Sequence, residues 1–318
     1  MFMKRLQRLL ACAGCAAVLA ATSSVAAAAA PPIRFAVGVD PAFTPIFLAK
    51  HEKMFEEVGL NVQLQQFTQS NEGLDSINAG LTDLVGAAEP GTLTRITRGD
   101  IRPLAIYEQS GKYIKLVVKD GITDVTQIKK FGIVPGSVSE YATHKLLDKF
   151  KIDLQSVQLI TAGPPELPAL LANKSIDAFF AWEPWPSVGI RQGGKVLMTS
   201  ADVGYTYTMW LSANGSWLDQ NRDAAKKVVA TLAKACAVVR DGMAKNDLSR
   251  PIAANRAMAK LPPDQTTSFL RDVECVVRDF TPDDLESYDQ IATFLHQAKM
   301  TPVKADFRKV MQLGFFKE

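Results

Sequence analysis

The chain has 318 residues, 36 of them Lys or Arg and 33 Asp or Glu; 47% is hydrophobic and 22% charged, a composition that excludes a disordered chain. Lys4, Arg5 and Arg8 account for the whole net charge of +3, and no acid precedes Asp40. Beyond Ala30 the balance is even, 33 basic against 33 acidic groups, so a basic field for nucleic acid and a polybasic membrane patch are both excluded.

The first 30 residues read as a secretory signal peptide. The three basic residues precede an apolar stretch from Leu9 to Ala20, and Ser23 to Ala30 offers several small-residue cleavage sites before Pro31-Pro32. The apolar run is too short and Ala-rich for the ~20 residues of a membrane span. Leu9-Leu10-Ala11-Cys12 is a poor lipobox, because so little apolar sequence separates Arg8 from Cys12. Cleavage leaves Cys236 and Cys275. In an oxidising compartment they can pair. Equally, Cys236 shares an apolar helical face with Val228, Val229, Leu232 and Val239, where a free thiol acts as a small hydrophobe.

Strand and helix signals then alternate. Ile33 to Val39 is a buried strand. A helix runs from about Pro45 to Val58, closed by Gly59. Asn61 to Phe67 alternates as a strand, Glu72 to Ala79 is a helix, Leu84 to Ala87 a strand, Gly91 to Arg98 a helix and Leu104 to Tyr107 a strand. This rhythm predicts a mostly parallel sheet covered by helices. It restarts with strands at Ile114 to Val118 and Phe131 to Val134. A helix at Ser139 to Phe150, a strand at Val157 to Ile160, a helix at Glu166 to Ala172 and a strand at Ala178 to Ala181 follow. After Trp217 the chain reads as helical, with Asp219 opening a helix to about Arg240 and Thr281-Pro282 opening another to about Lys299. No flexible linker divides the chain. Two lobes, residues 31–113 with 208–318 and residues 114–207, are expected, with the C-terminal helices packed on the first.

A short echo relates the halves. Ala87-Ala88-Glu89-Pro90 and Ala181-Trp182-Glu183-Pro184 share A-x-E-P, each preceded at the same offset by an aspartate, Asp83 or Asp177, and by an amphipathic helix. In open α/β sheets, ligands bind beyond the carboxyl ends of such strands.

Ile33 to Lys50 (IRFAVGVDPAFTPIFLAK), Met54 to Leu60 (MFEEVGL) and the stretch ending in Ala181-Trp182-Glu183-Pro184-Trp185 resemble periplasmic solute-binding proteins of ABC importers. The resemblance is to the NMT1/THI5-like type that takes aliphatic sulfonates, taurine, nitrate or thiamine-pyrimidine precursors. It implies a type II periplasmic-binding-protein fold, two α/β lobes joined by a hinge with a small-molecule ligand between them. It also implies a separate membrane permease and ATPase, a monomeric receptor in the periplasm, and no cofactor. The chain carries no G-x-x-x-x-G-K-[ST] loop.

In this family the Asp40–Pro45 loop lines the cleft. Phe43 can pack on a ligand, or be core. Thr44 can reach a ligand oxygen, or cap the helix. Gln69, Ser70 and Asn71 follow the second strand, and Ser137 and Ser139 open the equivalent helix of the second lobe; these are ligand donors or ordinary caps. Two helix starts aimed at one cleft suit an oxyanion such as a sulfonate, taurine or nitrate. Glu89 and Glu183 suit an aminopyrimidine or another amine-bearing solute, or are struts. Trp182, Trp185, Tyr205, Tyr207 and Trp210 supply aromatic surface, of which Trp182 and Tyr205 are candidate contacts.

Catalytic and metal signatures are weak. His51 and His144 read as exposed helix positions, no Cys/His cluster has metal spacing, and no G-x-S-x-G elbow occurs. A secreted enzyme of the same fold and the ligand-binding half of a sensor are the competing classes.

Overall fold

A computed structural model describes residues 31–316; the expected signal peptide lies outside them. The strands are β1 (Ile33–Val37), β2 (Val62–Gln66), β3 (Leu84–Ala88), β4 (Ile101–Ser110), β5 (Lys115–Val118), β6 (Lys130–Ile133), β7 (Gln158–Thr161), β8 (Ala178–Ala181), β9 (Lys195–Thr199), β10 (Tyr207–Asn214) and β11 (Glu274–Arg278). They form two sheets flanked by helices, in the orders β11-β4-β10-β3-β1-β2 and β7-β6-β8-β5-β9. The α/β architecture is as expected. The pairing is more mixed than a mostly parallel sheet. In the first sheet β2, β1 and β3 are parallel and β10, β4 and β11 join antiparallel. In the second, β7, β6 and β8 are parallel and β5 and β9 are antiparallel. The antiparallel strands include those that carry the chain between sheets, β4 into β5 and β9 into β10, so they do not belong to a β-α-β repeat.

Burial explains the strand signals. Phe35, Ala36 and Val37 in β1 and Leu84, Val85 and Ala87 in β3 are buried, the continuous apolar run of a strand covered on both faces. In β4, Pro103 sits beyond the stretch that β11 pairs, which is Ile106 to Gln109, so its missing N–H costs no bond to that neighbour.

Besides the unanticipated strand β9 and Asp219, which lies inside the short helix Gly215–Gln220 rather than opening the long one, three features differ from the sequence reading. The helix expected from Pro45 to Val58 is two, Thr44–His51 and Met54–Glu57, because Lys53 adopts φ 60 and stops the first. β10 was not anticipated, although it is the central strand that joins the two parts of its sheet. The C-terminal part is not all helical either, since β11 intervenes between helices Pro263–Asp272 and Pro282–Gln297. As expected, helix Arg222–Lys245 packs back on the first sheet, against β11 and β4.

Cys236 and Cys275 form a disulfide that ties this helix to β11, 39 residues apart in sequence. The disulfide reading holds and the free-thiol reading does not, although Cys236 does lie on the buried apolar face with Val228, Val229 and Leu232. For a loop of that length the chain-entropy account gives about 4 kcal/mol. Reduction, or the double substitution Cys236→Ala with Cys275→Ala, is expected to lower unfolding stability by roughly that amount, measured as a lower urea midpoint. An unchanged midpoint would contradict it.

Candidate functional site

A cavity of about 40 Å³ lies between the two sheets, three or four times the space a single water requires. The chain segments that reach it are the turns beyond the carboxyl ends of β1, β2, β3, β6 and β8, together with Tyr113, Ile114, Tyr207 and Met209 near the two crossings. This is the place the topological-switch rule gives for ligands in open α/β sheets.

The turn after β1 supplies Asp40 and Phe43. Asp40 Oδ1 caps the short 3-10 turn Pro41–Phe43 by accepting the Ala42 N–H at 2.9 Å, and it also accepts the Tyr113 hydroxyl at 3.0 Å. Phe43 sets its ring between two glycines. A methyl on Gly38 would lie 2.6 Å from its Cε2, and one on Gly86 would lie 3.0 Å from its Cε1. A side chain at either glycine would displace the ring, which lines the cavity.

The turn after β2 supplies Gln69, Ser70 and Asn71 at the start of helix Ser70–Asn78. No side chain caps that helix. Gln69 Oε1 is buried without a partner among the described residues. The equivalent helix of the second sheet, Val138–Lys149, is closed by Ser137, which accepts the Ser139 N–H and donates to the Val134 carbonyl. Ser137 faces the cavity with its hydroxyl already engaged. Trp182, at the end of β8, closes the opposite wall.

The other expected site residues sit behind the wall. Thr44 donates to the Pro41 carbonyl at 2.6 Å and receives the Asn255 amide at 2.9 Å. Ser139 Oγ accepts the Val134 N–H. Glu89 accepts the Tyr205 hydroxyl at 2.8 Å and the Thr208 N–H at 3.1 Å. Glu183 accepts the Ser187 N–H at 3.3 Å and faces Lys115 at 3.4 Å, and Lys115 also meets Asp272 at 2.7 Å. Each thus has protein partners, as the cap and strut readings require.

Burial pushes Glu89 up to about 8, against the bonds that favour its charge, and pushes Asp40 up to about 7 despite the bonds from Ala42 and Tyr113. Glu108, beneath the cavity, accepts the Tyr207 hydroxyl at 2.6 Å and is raised well above the usual carboxylate range by burial, with the charge of Asp40 adding to it. Sequence reading missed Tyr113 and Glu108, and used Asp40 only as the start of a loop. The available signal was an Asp directly after a buried strand in a turn assigned to the cleft. His144 is half-buried against Phe294, with ring centroids 4.8 Å apart, rather than exposed. Among the described residues no cluster of His, Cys, Asp or Glu could hold a metal.

The sequence profile of the NMT1-like family matches residues 28–253. The chain belongs to that family. Among curated relatives, a provisionally named aliphatic sulfonates-binding protein of Escherichia coli (strain K12) is 21% identical over 303 residues, covering 92% of this chain and 93% of the relative. Among solved structures, the periplasmic aliphatic sulphonate binding protein SsuA from Escherichia coli superposes with a TM-score of 0.76 at 19% identity, over 88% of this chain and 96% of that one. The periplasmic nitrate-binding protein NrtA from Synechocystis PCC 6803 gives 0.69 at 15% identity, over 88% and 86%. At such identities this member of the NMT1-like family shares their fold.

Proposed function

We propose that this chain is the solute-binding receptor of an ABC importer. It works as a monomer in the periplasm after its leader is removed, takes one small polar solute between the sheets, and hands it unchanged to a membrane permease driven by an ATPase. The observation that carries this reading is the convergence of strand ends and two helix starts, Ser70 and Val138, from both sheets on one cavity. The names of the relatives support it. The lobes, residues 31–113 with 208–318 and residues 114–207, would rotate about the two crossings, near residues 111–114 and 200–206.

Sulfonates, taurine and nitrate fit the helix starts and the relatives' names. A second class, aminopyrimidines and other amine-bearing solutes, is favoured by Asp40 in the cavity wall. A thermal-shift panel drawn from both classes is expected to yield a ligand that stabilises by about 2.7 kcal/mol at a hundredfold excess over its Kd. Small-angle scattering should then give a smaller radius of gyration with that ligand than without it. Tight binding with identical radii would remove the hinge, and turnover of the bound compound would favour an enzyme instead.

A further inference from the structure

The cavity wall sets one buried carboxylate among neutral polar groups and holds no positively charged side chain: none of its lining residues is Lys, Arg or His. Asp40, 7% exposed, uses one carboxylate oxygen for both its protein bonds. Among the described residues nothing donates to its Oδ2. Gln69 adds a second buried acceptor without a donor. Glu108 stands behind, fully buried and close enough for its charge and that of Asp40 to disfavour each other. Lys115, which follows the lining residue Ile114, is already held between Glu183 and Asp272.

At pH 8 an anion entering here would meet the Asp40 carboxylate without a counter-charge, and Glu108, held towards its neutral form by burial, supplies no positive charge to offset it; burying an unpaired charge is costly. A protonated or N–H-bearing nitrogen would instead supply the missing donor to Asp40 Oδ2, and a second N–H would meet Gln69. The rings of Phe43, Tyr113, Trp182 and Tyr207 would face such a group favourably. Capping alone does not call for this residue. Asn or Ser would cap the Pro41–Phe43 turn as well as Asp, without leaving a free carboxylate oxygen in the wall.

We infer that the solute presents a cationic or N–H-donating nitrogen to Asp40, with Gln69 as the second acceptor, and that sulfonates and nitrate lacking such a nitrogen are poor guests. This rests on the receptor reading and names its solute class.

Isothermal titration at pH 8 with matched probes tests it: 2-aminoethanesulfonate against ethanesulfonate, and 4-aminopyrimidine against pyrimidine, with nitrate alone. A charge-assisted hydrogen bond predicts that the aminated member of at least one pair binds roughly tenfold or more tightly. Asp40→Asn should abolish that preference, since the new amide offers N–H where the solute needs an acceptor. Asn can still accept from Ala42 and Tyr113, so a melting temperature close to that of the parent is expected and separates lost recognition from lost folding. Native mass spectrometry of the unsubstituted protein, purified without denaturation, gives a variant-free arm: a co-purified molecule with a basic or N–H nitrogen supports the inference. Equal affinity within both pairs, preference surviving in Asp40→Asn, or a co-purified nitrogen-free anion overturns it and leaves the receptor standing. No binding by any probe, with no co-purified molecule, overturns the receptor reading and this inference with it.

Discussion

Asp83→Ala and Asp177→Ala are each expected to cost about 2–4 kcal/mol of unfolding stability. Asp83 is 4% exposed and does the same work in the first sheet as Asp177 in the second. Its Oδ2 accepts the Arg34 N–H at 2.7 Å and the Arg34 Nε at 3.0 Å, while its own N–H donates to the Arg34 carbonyl at 2.9 Å. Asp177 Oδ2 accepts the N–H groups of Lys129 and Lys130 at 2.8 and 2.9 Å, and its own N–H donates to the Lys130 carbonyl at 2.8 Å. In both places the carboxylate ties the first residues of one parallel strand to the start of its neighbour, β1 to β3 and β6 to β8. An Ala there leaves partly buried backbone donors at the strand starts without their acceptors. Arg34 keeps a partly exposed side chain that can turn to water, so the backbone bonds dominate the loss. Asn, which retains an acceptor but no charge, should lose about half as much. Urea midpoints for the four variants measure this; Ala variants within 0.5 kcal/mol of the parent, the range of an ordinary surface substitution, would show that the strand edges are set by something else.

This pairing was legible as an echo in the sequence. Asp83 and Asp177 stand at one offset before Ala-x-Glu-Pro in each half, because each lobe needs a carboxylate to close the same strand edge. The apolar runs of β1, β3, β6 and β8 were equally plain, since strands covered on both faces are apolar apart from residues at their starts such as Arg34 and Lys130. The break at Lys53 was not. A positive φ at Lys has no local signature, and a helical apolar pattern continues through it. β11 escaped because a five-residue strand between two helices is held by pairing with β4 and by the Cys236–Cys275 disulfide, neither of which is a local property.

The site was half legible for the same reason. Phe43, Gln69, Ser70, Ser137 and Trp182 reach the cavity because they follow strand ends, and strand ends can be found from patterning. Thr44, Glu89, Ser139, Glu183 and Tyr205 also lie next to strand or helix ends, yet turn inward to bond with the protein. Which way a short polar side chain turns depends on donors far away in sequence: Glu89 is claimed by Tyr205 and Thr208, and Thr44 by Asn255. Asp40 was hidden by its cap role, and Glu108 and Tyr113 by their places near the end of β4 and just beyond it, respectively.

Those buried acids predict an unusual stability profile: the ligand-free protein should lose stability as pH rises from 7 to 9. Glu89 is raised to about 8 and Asp40 to about 7, while Glu108 is raised further, all chiefly by burial. The unfolded chain ionises these groups near their ordinary values, so over this range it binds fewer protons than the folded chain, and stability falls with pH. Their contribution is fully present below about pH 4 and is lost as pH rises through the folded values. For Glu89 alone the difference is on the order of 4 kcal/mol at pH 9. Carboxylates lowered in the folded state by partners, such as Glu52 with Arg250 and Asp284 with Arg278, act with the opposite sign, but only in the acid range. His144, lowered by burial, also favours the folded state as pH rises, and that gain is complete near its unfolded value of about 6.5. Above pH 7 the buried acids are left to decide the slope. Glu89→Gln can accept the Thr208 N–H with its oxygen and donate its amide N–H to the Tyr205 hydroxyl, as the protonated acid can, and it removes the ionisation, so it should match the parent at pH 5 and exceed it at pH 9. Urea unfolding at pH 5, 7 and 9 of parent and variant measures both; a parent that gains stability from pH 7 to 9, or a variant that follows the parent throughout, would mean that these carboxyls ionise in the folded protein without cost.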